Sequence, residues 1–175
     1  KLVGPATRKA GEEAAGIQTM IDQEHGGFTL QPWDWNYYAA KVRKQKYDVD
    51  ENEIKPYFVL DSVLENGVFY AAHMLYGITF KERKDIPVYQ QDVRVFEVSD
   101  TGGVPLGLFY CDYFKRDNKS GGAWMSNLVD QSKLLGTKPV IYKVAKFTKP
   151  APGEPALISF DDVTTMFHQF VHALH

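Results

Sequence analysis

The chain has 175 residues, 44% hydrophobic and 24% charged, with a formal net charge of -2. That balance is ordinary for a globular domain with its own core. It gives no bulk electrostatic case for a nucleic-acid partner or an anionic membrane surface, and no run of about 18 apolar residues is present to span a bilayer. One cysteine, Cys111, excludes an internal disulfide and fits a reducing, cytoplasmic setting.

From about residue 2 to 23, Val3, Ala6, Ala10, Ala14, Ile17 and Ile21 recur at three-to-four spacing and predict a helix that ends at His25-Gly26-Gly27. Gln31-Pro32-Trp33-Asp34-Trp35 opens a second helix, reaching about Tyr47, with Pro32 near its start. A polar break follows from Asp48 to Asn52. A third helical region is interrupted by Pro56 and resumes at Asp61, a candidate N-cap. Leu60, Leu64, Val68, Ala71 and Leu75 form its expected apolar face, and Gly77 ends it. Strands are then expected over Ile78–Arg83, Val93–Val98 and Leu106–Phe114, the last two joined as a hairpin through Asp100-Thr-Gly-Gly103. Ala123–Leu128 and Lys138–Phe147 are further strands. Lys149–Pro155 is an extended connection, and a closing helix begins near Asp161 or Asp162. The expected class is α+β in a single partial domain. It has a mainly helical part over 1–77, a small antiparallel or mixed sheet over 78–148, and an active-site helix over 158–175 lying on the sheet.

The closing helix carries the strongest chemical signal. Val163, Met166, Phe167, Phe170 and Leu174 form one apolar stripe. His168 and His172, four residues apart, project together from the other side, with His175 following them. Two imidazoles at that spacing can share one zinc ion, as in His-Glu-x-x-His, where the Glu is a general base. Here Gln169 occupies the base position; it can hydrogen-bond a water but cannot take its proton. Taken alone, two histidines at this spacing more often mark a solvated helix face than a metal site. A second candidate is Asp112-Tyr-Phe-Lys-Arg-Asp-Asn-Lys-Ser-Gly-Gly-Ala-Trp124. Gly121 and Gly122 would allow close backbone approach, and Lys115, Arg116 and Lys119 bring positive charge. The bland alternative is a loop bearing a solvated charge cluster. It is not a phosphate loop, because its glycines do not precede Lys-Ser and open a helix. His25 and His73 are expected to be structural or solvated, and Cys111 an inert core thiol.

His168-Gln-Phe-Val-His-Ala-Leu-His175 resembles the His-Glu-Phe-Gly-His-x-Leu-His motif of the thimet oligopeptidase family of zinc metallopeptidases. Asp112–Trp124 resembles that family's Asp-x-x-x-Arg-x-x-Lys-x-Gly-Gly-Ala-Trp element, and Gly26–Trp35 its Trp-Asp helix opening. Gln31–Trp35, Lys55-Pro-Tyr-Phe58 and Asp85-Ile-Pro-Val-Tyr89 are most similar to the bacterial peptidyl-dipeptidase branch. The likeness spans nearly the whole chain.

The resemblance implies a larger, mostly helical catalytic domain that admits oligopeptides and releases dipeptides from their C-termini. It implies one Zn2+ held by His168 and His172, with a third ligand, a Glu, outside this chain. It places Gln169 where the family has its catalytic Glu, and Val171, which could crowd a neighbouring element, where it has a Gly. Gly121, Gly122 and Ala123 become candidate substrate contacts. The helix reaches His175 without a cap, which reads as part of a longer enzyme whose remainder would be this chain's partner. By that reading the chain alone is inactive. The alternative is a non-catalytic variant or fragment that binds peptide or zinc.

Overall fold

The computed structural model describes residues 1–48 and 50–175; Val49, inside the expected polar break, lies outside the described residues. Two compact units are formed, Lys1–Ile54 and Lys55–His175. The first is helical. Helix α1 (Val3–Gln23) buries Ile17, Met20 and Ile21, the C-terminal part of its apolar stripe. Helix α2 (Trp35–Tyr47) starts one turn after Pro32, because the Asp34 carboxylate accepts from the Gln31 N–H and closes a turn first. A short α3 (Glu51–Ile54) completes this unit.

The second unit holds the sheet and the closing helix. After a 3-10 turn at Lys55–Tyr57, its first long helix runs from α4 (Leu60–Ser62) through a π-helical stretch (Val63–Phe69) to α5 (Tyr70–Tyr76). Asp61 is not its N-cap. That position falls to Val59, because the backbone of 58–60 pairs with 156–158: the Leu60 N–H donates to the Ala156 carbonyl and the Ile158 N–H to Phe58. Asp61 instead joins Glu65 and Glu82 around the Arg94 guanidinium. The π turn takes in an extra residue, so the buried positions slip along the chain. Ala72 is buried in place of Ala71, and Leu75, expected inside, is 74% exposed. Gly77 ends the helix in the left-handed region at φ 69°, where glycine is favoured.

Five strands follow: β1 (Thr79–Glu82), β2 (Arg94–Ser99), β3 (Pro105–Phe114), β4 (Trp124–Val129) and β5 (Val140–Phe147). Their order is β1-β2-β3-β5-β4, so β5 is inserted between β3 and β4. It is parallel to β3 and antiparallel to β4, and the other pairs are antiparallel. The sheet is mixed and the class is α+β. The expected β2–β3 hairpin is present, with the Asp100 carboxylate accepting from the Gly102 and Val104 N–H groups. Strand β4 is an edge.

Helix α6 (Phe160–Leu174) packs on β4, β5 and the π-helical stretch. Phe170 meets Phe109 edge-on at 5.5 Å between ring centres, while Phe69 stacks on Phe80 at 3.9 Å. Gly67 lets the π turn approach closely: a Cβ there would sit 3.3 Å from the Phe167 ring. Among the described residues no helix is long and apolar enough to cross a membrane.

Candidate active-site helix

Helix α6 begins with a capping box. The Ser159 hydroxyl accepts from the Asp162 N–H, and the Asp162 carboxylate accepts from the Ser159 N–H, so two otherwise unpaired donors are satisfied. The Ser-x-x-Asp spacing carried this signal, one residue before the start expected from Asp161 or Asp162. Met166 and Phe170 are buried against the sheet. His168 is two residues beyond Met166, about 200° round the helix. It is therefore exposed with His172 on the side away from the core.

The His168 and His172 Nε2 atoms are 3.1 Å apart, with ring planes 81° to each other. Two nitrogens at about 2.05 Å on a tetrahedral zinc ion would lie ~3.3 Å apart. The separation is thus close to that between two corners of such a site, with the two rings here in contact with each other. A catalytic zinc takes three protein ligands. Among the described residues, no group of three His, Cys, Asp or Glu stands ready to hold a metal. Gln169 flanks the pair, half-buried. Val171 is 64% exposed, so within this chain it does not crowd its neighbours as its bulk led one to expect.

The Asp112–Trp124 segment is not a solvated charge cluster. Asp112 is 2% exposed and Lys119 9%. Arg116 donates to both Asp112 carboxylate oxygens at 2.7 Å, and the Tyr89 hydroxyl donates to one of them at 2.9 Å. The Lys119 ammonium lies 2.7 Å from Asp112 Oδ1 and donates to the carbonyls of Asp112, Phe114 and Ala145. Burial opposes ionisation of Asp112, but the bonds from Arg116, Lys119 and Tyr89 outweigh it and hold its pKa below the usual carboxylate range. This network stitches the loop shut. Gly121 and Gly122 are left exposed in front of β4, and Ala123 is partly buried against the core that includes Met166 and Phe170.

Cys111 is fully buried, which pushes its thiol up to about 12 and leaves it inert. His25 is exposed, and the His73 ring contacts the Ile78 carbonyl. Sequence reasoning passed over Lys143, whose signal was a lone cation inside the apolar run Val140–Val144. It is 1% exposed, and burial pulls its pKa down to about 8. The unfolded chain therefore binds more protons than the folded one between about pH 8 and 10, and stability rises with pH across that window. Urea unfolding should show a gain of about 3 kcal/mol over it, at ~1.4 kcal/mol per unit. Lys143→Met should abolish that rise and match or exceed the parent at pH 7.

Residues 1–175 match the sequence model of Peptidase family M3. The chain is 57% identical over 175 residues to dipeptidyl carboxypeptidase of Escherichia coli (strain K12), covering 100% of this chain and 26% of that protein. It is 41% identical over 172 residues to oligopeptidase A of the same organism, covering 96% and 25%. Similarity extends to organellar oligopeptidase A of Arabidopsis thaliana, 38% identical over 154 residues, 83% of this chain and 19% of that protein. The chain thus spans about a quarter of the length of the E. coli relatives it matches.

Proposed function

Since the chain belongs to Peptidase family M3, we propose that it is the zinc-helix portion of a cytoplasmic metallopeptidase that releases dipeptides from the C-termini of oligopeptides. The observation that carries this reading is the His168–His172 pair, 3.1 Å apart and turned away from the core. These residues would supply two zinc ligands, with a third outside this chain. The bound ion would polarise the scissile carbonyl and lower the pKa of its water. Gln169 can orient that water through its side-chain amide but cannot remove its proton. The free edge of β4, beside α6 and after Gly121, Gly122 and Ala123, offers backbone groups to an extended peptide. The rest of the relatives' length would cover the exposed apolar side chains of Leu75, Leu106 and Val171.

Zinc titration against a chromophoric chelator tests the reading. The chain should bind one ion weakly. His168→Ala and His172→Ala should each weaken binding by about ten-fold or more, and Gln169→Ala should leave it unchanged, because that residue is not a ligand. Equal zinc binding by a chain lacking both histidines would overturn the assignment. The present chain should cleave no oligopeptide above the buffer rate. The non-catalytic reading, in which peptide or zinc is bound without cleavage, has Gln169 in its favour.

A further inference from the structure

Lys143 stands in the middle of β5, with Cys111 of β3 and Met125 of β4 as register neighbours. Its ammonium lies 5.6 Å from the centre of the Tyr113 ring and donates to the Met166 carbonyl at 2.6 Å. That carbonyl is inside α6, where helix geometry already assigns it the Phe170 N–H. Lys143 takes its second lone pair. Among the described residues no carboxylate pairs with this lysine. A buried, unpaired ammonium is costly, and an apolar side chain of similar volume would fill the space more cheaply. The cost falls at one carbonyl, two residues before His168.

We infer that Lys143 is a positioning residue for the His168–His172 pair. By anchoring the Met166 carbonyl to the centre of the sheet, it fixes the roll and axial position of α6, and with them the direction in which the two imidazoles leave the helix. The apolar contacts of Met166 and Phe170 are non-directional and permit small rolls and slides. A charge-assisted hydrogen bond to a backbone carbonyl is directional. The lever is short, since His168 is only ~3 Å further along the axis. The consequence for metal binding rests on the zinc reading of the pair; the anchoring itself does not.

The test compares the full chain with Lys143→Met, whose unbranched thioether fills the same space without a donor. In the variant the Met166 carbonyl-carbon resonance should move upfield. Amide exchange over residues 168–172 should accelerate about ten-fold relative to β3 amides at unchanged or higher global stability, and zinc affinity should fall by about ten-fold. A folded variant with an unmoved Met166 resonance and unchanged exchange would overturn the inference. So would one whose α6 and β3 protection fall in parallel, since that marks a role in stability alone. Should the variant not fold, a through-bond coupling between Lys143 Nζ and the Met166 carbonyl carbon in the unaltered chain supports the anchor, and its absence refutes it. A parent chain that binds no zinc, while α6 exchange still responds to the substitution, removes the zinc reading and keeps the anchor.

Discussion

Gln169→Glu is expected to raise peptide cleavage by about 10²–10⁴-fold, the usual contribution of a positioned general base. The measurement is made in a chimera in which this chain replaces the matching segment of E. coli dipeptidyl carboxypeptidase, 57% identical to it. That host supplies the remaining length of a relative. The gain should appear in kcat and barely in KM, because Gln and Glu are nearly isosteric and the effect lies in proton transfer. In free energy it amounts to about 3–5 kcal/mol of transition-state stabilisation. Zinc affinity should change little, since the substitution leaves the proposed ligands His168 and His172 in place. A gain below ten-fold would show that Gln169 does not occupy the base position, and the non-catalytic reading would then lead.

Asp112→Ala is expected to destabilise the Lys55–His175 unit by about 3–5 kcal/mol, the range for removing one partner of a buried charge pair. The loss is large because Lys119 stays behind. Lys119 is 9% exposed and its ammonium would keep only carbonyl partners. Urea unfolding at pH 7 measures it. The pH dependence has a definite sign: the folded-state pKa of Asp112 is depressed, so its contribution is complete above the ordinary carboxylate pKa. It disappears as pH falls through the lower folded value. The parent should therefore lose stability below about pH 4 more steeply than Asp112→Ala. Superimposable acid titrations would mean that the network contributes little.

The order of helices and strands was legible because it rests on local signals. Gly77 closes a helix, Asp100-Thr-Gly-Gly103 turns a hairpin, and β-branched and aromatic runs mark strands. The apolar face of the Leu60–Tyr76 helix was misplaced after its midpoint. A π turn is selected by packing against α6, where Gly67 meets Phe167, and a regular helical period cannot reveal it. The helix start at Leu60 was also displaced from Asp61. A backbone bridge to residues far along the chain sets it, and that bridge has no local signature.

The site divides along the same line. Helical spacing alone places His168 and His172 on one face opposite Met166 and Phe170, because 3.6 residues per turn is an intrinsic property of the backbone. The nature of residue 169 is likewise a matter of sequence. Whether a charged residue lies in water or in the core depends on which strands meet. Lys119 could be read as part of a solvated loop, and nothing local marked Asp112 or Lys143 as buried, yet inserting β5 between β3 and β4 buries all three. Sequence therefore determined which groups could hold a metal and that position 169 carries an amide rather than a carboxylate. Tertiary structure alone decided which charges are desolvated, and so which of them close the loop before β4 and which one seats the histidine helix.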